Sequence, residues 1–217
     1  MMNSMTMRVL LALALCLGLA TASVAQEALW DQTDGYESWS MGFFNCVAGG
    51  PPMGSTTYTC NDVVVPAEGW AITDITVIFD GFDPGWEGAV TEAVLFIEPK
   101  TGSTPMGDPG MDGTTVAATA TVLPNYFLAV TATGLETILG EGEYWVGLTP
   151  IAPNAANIHV SVAAIGDDSP SYDAFGFPMP MWMAWVQGMD GAMLIEGNLG
   201  TVSSEAVALD EIKAIYR

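Results

Sequence analysis

The chain has 217 residues, 50% of them hydrophobic, with 25 acids against 4 Lys or Arg and a formal net charge of −21. So acidic a surface repels nucleic-acid phosphates and anionic lipid headgroups, which argues against both as partners. The apolar and aromatic content is too high for a disordered chain, and the charge leaves solubility, cation binding or a salty habitat as its uses.

The first element is an export signal. Arg8 precedes an apolar run from Val9 to Ala20, and Ser23-Val24-Ala25 fits the small-x-small cleavage rule before Gln26. Ala20-Thr21-Ala22 offers a second cleavage position. The competing reading is a membrane anchor, but a span needs about 20 apolar residues. Residues 1–25 are therefore expected to be a signal peptide, removed together with Cys16. No later segment is long and apolar enough to span a bilayer. Losing Arg8 takes the formal charge from −21 to −22 and leaves Lys100, Lys213 and Arg217 as the basic side chains. The product is expected to be secreted or held at the cell surface.

Residues 26–198 read as one β domain and 199–217 as a tail. Two cysteines survive cleavage, Cys46 and Cys60. A lone pair in an oxidising compartment is expected to bond to itself, around a loop holding Gly49-Gly50-Pro51-Pro52 and Gly54. Closing such a loop is worth roughly 3 kcal/mol in the chain-entropy model. The alternatives are two free thiols or a metal site, and two cysteines lack the further ligands of a closed zinc site.

Helix signals are scarce, and β-branched and aromatic runs recur between Gly/Pro/Asp clusters. A strand is predicted over Trp70–Phe79, with Ile75, Val77 and Phe79 on one face at period two. Asp80-Gly81-Phe82-Asp83-Pro84-Gly85 is a turn. Val90–Glu98 follows, with Ala93, Leu95 and Ile97 alternating against Val94 and Phe96. Residues 99–113 read as a long polar loop. Thr114–Val122 and Tyr126–Thr133 form two strands joined at Pro124-Asn125. Glu143–Thr149 places Tyr144, Val146 and Leu148 on one face, and Ile158–Ile165 is a further strand. Met181–Gln187 and Ala192–Glu196 close the domain around Gly188-Met189-Asp190-Gly191. In the tail, Ser203-Ser204-Glu205 could cap a short helix through Tyr216, with Leu209, Ile212 and Tyr216 on one face. The fold class expected is all-β: a single β-sandwich, jelly-roll-like, with a short C-terminal helical tail.

Five segments carry a family resemblance. They are Leu29-Trp30-Asp31-Gln32, Asn61-Asp62-Val63-Val64-Val65-Pro66, Gly69–Val77, Glu143–Leu148 and Asp190–Gly197. The second is similar to an Asp-Asp-Phe-x-Val-Pro motif, with Asn61 for the first Asp and Val63 for the Phe. The third resembles a Trp-x-Ile-x-x-Ile strand. Together they resemble the bacterial secreted β-sandwich modules of exosortase-sorted (PEP-CTERM-like) and variably anchored surface proteins. The resemblance implies a surface or secreted module of unassigned role. The chain shows no Pro-Glu-Pro motif followed by a span and a basic end, so that type of anchoring is not expected.

The chemistry-bearing residues are few. His159 is the single histidine, its neighbours Ile158 and Val160 suit an ordinary strand, and no Gly-x-Ser-x-Gly elbow is present. Acid pairs at glycosidase spacing are expected by chance among 25 acids. No catalytic residue is therefore assigned and no enzyme is expected. Calcium is the one cofactor the acids suit, with Asp80, Asp83 and Glu87 of one turn first, then Asp108 with Asp112, and Asp167, Asp168 and Asp173. No EF-hand or glycine-rich calcium repeat is present, and solvated turn acids are the plainer reading. Met179, Met181 and Met183 alternate as a copper(I) site would, but no histidine or cysteine lies nearby to support metal binding and apolar packing is the plainer reading. Trp86, Tyr172, Trp182 and Trp185, with Phe175 nearby, could stack on sugar rings, against a plainer role in packing. The function expected is a non-catalytic secreted or cell-surface module that binds an extracellular glycan or protein, or builds an extracellular assembly. The alternatives are a secreted glycan-active hydrolase and a subunit of a surface filament or layer.

Overall fold

Period-two alternation dominates the observed structure as it does the sequence. The computed structural model describes residues 26–36, 47–48, 57–80, 86–152, 159–160, 170–173, 181–184 and 190–200. Its strands are β1 (Glu27–Asp31), β2 (Val47–Ala48), β3 (Thr57–Thr59), β4 (Asn61–Val65), β5 (Trp70–Asp80), β6 (Glu92–Pro99), β7 (Thr114–Val122), β8 (Leu128–Leu139), β9 (Gly142–Ala152), β10 (His159–Val160), β11 (Pro170–Asp173), β12 (Met181–Ala184) and β13 (Met193–Leu199). One helical turn, α1 (Pro109–Asp112), lies in the long loop between β6 and β7. The protein is all-β, as its sequence predicts. Among the described residues no helix is long and apolar enough to cross a membrane.

Ten strands form one sheet that nearly closes on itself, in the order β1-β13-β5-β8-β7-β6-β9-β2, with β4 also on β9 and β10 also on β5. All pairings are antiparallel except that of β2 with β9. β7 is the hinge of this closure. Its first residues, Thr114–Ala117, pair with β6, and its last, Ala118–Val122, pair with β8. The interior is filled by inward-facing residues of both halves. Ile75, Val77 and Phe79 of β5 meet Leu128 and Val130 of β8, Val146 and Leu148 of β9, and Ile195 of β13. Burying each such side chain contributes about 1.5–3 kcal/mol relative to leaving it exposed.

The second face of β6 is buried too. Val94 packs with Tyr58, and Phe96 packs with Cys60 and Trp145, with Trp182 against both groups. A separate sheet in the order β12-β11-β3 brings Tyr58 and Trp182 there, and β3 runs into β4 through Cys60 alone. This accounts for the apolar residues at both parities of β6.

A candidate ligand cleft between β7 and β8

Where β8 leaves β7, the nearly closed sheet gapes. β8 pairs with β5 up to Thr133↔Asp74 and again from Thr137↔Ile72. Gly134, Leu135 and Glu136 thus stand against Thr73 alone. Gly134 takes a left-handed φ of 68°, a conformation nearly free for glycine and costly for other residues. Extra residues on one strand bend it away from its neighbours. The result is a cleft of about 500 Å³ with Leu95, Ile97 and Val116 on one side and Gly134–Thr137 on the other.

Its floor is aliphatic and its rim is polar. Leu95 is buried, and Ile97, Val116 and Leu135 are half-buried. Thr114, Asp112 and Glu136 are exposed, and Thr137 is half-buried. The loop between β6 and β7 holds Asp112 at the mouth. Asp112 Oδ2 accepts the Asp108 N–H at 2.8 Å, and Asp108 Oδ1 accepts the Gly110 N–H at 2.8 Å. Glu98 accepts the N–H groups of Met106 at 2.9 Å and Gly107 at 2.8 Å. The Trp182 indole N–H donates to the Gly107 carbonyl at 2.8 Å, so the small sheet anchors the same loop.

Lys100 is the single Lys or Arg among the described residues, and it is engaged elsewhere. Its ammonium bonds Asp62, lies 3.7 Å from Glu143 and sits 4.9 Å from the centre of the Trp145 ring. The cleft rim therefore carries two carboxylates and, among the described residues, no Lys or Arg beside them. Hydroxyl, carboxylate and aliphatic groups in one concavity suit ligand binding.

A second polar cluster is buried at the start of β4. Asn61 donates to the Gly191 carbonyl at 2.6 Å and to Gln32 Oε1 at 2.9 Å, while its Oδ1 accepts the Gly191 N–H at 3.0 Å. Gln32 in turn donates to Asp190 Oδ2 at 2.7 Å. Asn61 is 3% exposed and Asp190 2%. The cluster ties the residue after β1, the start of β4 and the approach to β13 into one unit. Three of the resemblance segments, Leu29–Gln32, Asn61–Pro66 and Asp190–Gly197, meet here.

The residues singled out by sequence are scattered. Glu87 lies in a 3-10 turn, Trp86–Gly88, after β5. Asp83 lies outside the described residues, as do the side chains of Asp80 and Trp86. Among the described residues no group of three His, Cys, Asp or Glu side chains could hold a metal ion. Asp108 and Asp112 serve backbone N–H groups instead. Trp182 is half-buried, with its ring 5.7 Å from that of Phe96. Trp185 and the Tyr172 side chain lie outside the described residues. His159 stands opposite Asp80 in the pairing of β10 with β5. Cys60 carries a free, buried thiol, pushed well above the usual range by burial and then by Glu98. The structure thus contains no disulfide at Cys60, and its expected partner Cys46 lies outside the described residues. Residues 1–25 and the tail from Thr201 lie outside them as well.

No family model matches the chain, and no curated protein or solved structure matches it either.

Proposed function

We propose that this chain is a secreted or cell-surface module without catalytic activity that binds an extracellular ligand, glycan or protein, in the cleft between β7 and β8. The observation that carries the reading is the cleft itself: an aliphatic floor under a hydroxyl and carboxylate rim, built on paired strands. Groups fixed on strands hold their geometry better than groups on loops. The signal-like N-terminus and the acidic composition support an extracellular setting. The same evidence is compatible with the resemblance to exosortase-sorted surface modules. We read the two strand orders β1-β13-β5-β8 and β4-β9-β6-β7 as the sheets of a jelly roll, an architecture common to extracellular recognition domains.

The test is a binding and turnover screen of the mature protein against glycans and extracellular proteins, repeated with Glu136→Gln and Thr137→Val. Binding without turnover, weakened by either change, supports the proposal. Turnover abolished by Glu136→Gln would establish a hydrolase instead, and concentration-dependent polymers in electron micrographs would favour a filament subunit.

A further inference from the structure

The cleft is also a gap in the backbone hydrogen-bond ladder. In antiparallel pairs, successive residues bond towards opposite edges of their strand. The Ala118 N–H donates to the Thr91 carbonyl, on the β6 side, at 3.0 Å. The Leu123 N–H donates to the Phe127 carbonyl, on the β8 side, at 2.7 Å. Even-numbered residues of β7 therefore bond towards β6 and odd-numbered ones towards β8. Yet β8 pairs with β7 only over Ala118–Val122. Thr115, exposed, directs its N–H and C=O groups at the gap and meets no strand there among the described residues, while Ala117 borders the last pair of β7 with β8, Ala118↔Ala132, whose ladder engages its carbonyl with the Thr133 N–H. On the opposite bank, residues 134–137 have β5 on one edge and no described strand on the other.

Two strand edges flanking one gap accept an extended segment, which supplies the missing backbone partners. Side chains of an inserted strand would alternate between the floor and the solvent. The floor offers Leu95, Ile97, Val116 and Leu135, which suit aliphatic side chains. The rim offers Asp112 and Glu136, and the whole chain carries a formal charge of −21, which suits cationic side chains and repels acidic ones. A glycan would use the rim and floor but leave both backbone edges without amide partners. We propose that the cleft is a strand-accepting site for an extended peptide in which aliphatic residues alternate with lysine or arginine. This inference rests on the cleft being the binding site.

The experiment is calorimetric titration of the full mature chain with acetyl-Val-Lys-Val-Lys-Val-Lys-amide. Three comparisons accompany it: the Val-Glu counterpart, a Val-Lys peptide N-methylated along one edge, and Glu136→Gln protein. One-to-one binding of the Val-Lys peptide is expected, with no binding of the Val-Glu peptide. N-methylation, which removes backbone donors while keeping side chains, should weaken binding at least tenfold. Glu136→Gln should weaken it about threefold, as befits one exposed charge pair. Equal affinity for the methylated peptide would overturn strand addition. If no Val-Lys peptide binds but a neutral oligosaccharide does so with Glu136 dependence, the peptide inference fails and the cleft survives as a glycan site. If neither binds, and other ligands bind without Glu136 dependence, the cleft reading falls as well.

Discussion

Asn61→Ala is the most informative single change to the scaffold. Asn61 bonds Gln32 and, through both its amide N and O, the backbone of Gly191 in a site where it is 3% exposed. A buried hydrogen bond contributes about 0.5–1.5 kcal/mol net, and leaving its partner unsatisfied costs more. Alanine removes these bonds from the Gly191 N–H and C=O and from Gln32 Oε1. A loss of about 3–4 kcal/mol follows. At about 2–4 °C per kcal/mol for a domain of this size, the midpoint should fall by about 6–16 °C. Urea unfolding of the mature protein, followed by tryptophan fluorescence, should show a lower midpoint at an unchanged slope. The neighbouring cavity, lined by Thr59, Asn61, Val77, Val146, Gly147, Gly191 and Met193, holds only about 10 Å³ in the native protein. A measured loss under about 1 kcal/mol would mean that water replaces the amide in that space, and would refute the role given to Asn61.

Four further outcomes are expected. Gly147→Ala places a Cβ against the Thr59 carbonyl and 2.9 Å from Cys60 Sγ, so β3 must shift, and destabilisation of about 1–3 kcal/mol should appear in thermal melts. Tyr58 is held up at about 12, first by burial and then by Asp108, against 10.0 for an ordinary tyrosine. Because the fold favours its protonated form, that contribution is complete below pH 10 and lost as pH rises towards 12, and Tyr58→Phe should flatten this alkaline limb. Intact mass of natively exported protein should show cleavage after Ala25, and a retained Met1 would refute the export reading. Millimolar calcium should raise the melting midpoint beyond sodium at matched ionic strength, with Asp83→Asn reducing the gain; equal shifts would reduce the acids to a solvated surface.

Local alternation made much of this fold legible. β7 occupies the predicted Thr114–Val122, and β5 and β6 fall within two residues of their expected ends at Trp70–Asp80 and Glu92–Pro99. The inward faces of β5 and β9 were readable because Ile75, Val77 and Phe79, and Val146 with Leu148, recur at period two. β8 was expected to stop at Thr133 but runs to Leu139. Gly134 reads as a breaker in a sequence, whereas here its left-handed φ bends the strand without ending it. The outer burial of Val94 and Phe96 depends on β11 and β12, some eighty residues away in the chain, and long-range pairing leaves no local signature. The cleft leaves no local signature for the same reason. Asp112 and Glu136 are ordinary surface acids in the sequence, and only the parting of β7 from β8 brings them to one rim. Asn61 was noticed as part of a motif, but its partners Gln32 and Gly191 come from opposite ends of the domain.

The central claim is that ligand occupies the gap between β7 and β8. Hydrogen–deuterium exchange of the mature protein, with and without a saturating ligand from the binding screen, tests it most directly. The Thr115 amide faces the gap and belongs to no described strand pair there, so it should exchange fast in the free protein. Ligand should slow exchange at Thr115 and residues 134–137, and leave the already paired amides of Ala118, Thr119 and Thr121 unchanged. Protection confined to β3, β11 and β12, with Thr115 and residues 134–137 exchanging as before, would place the ligand on the small sheet and contradict the account.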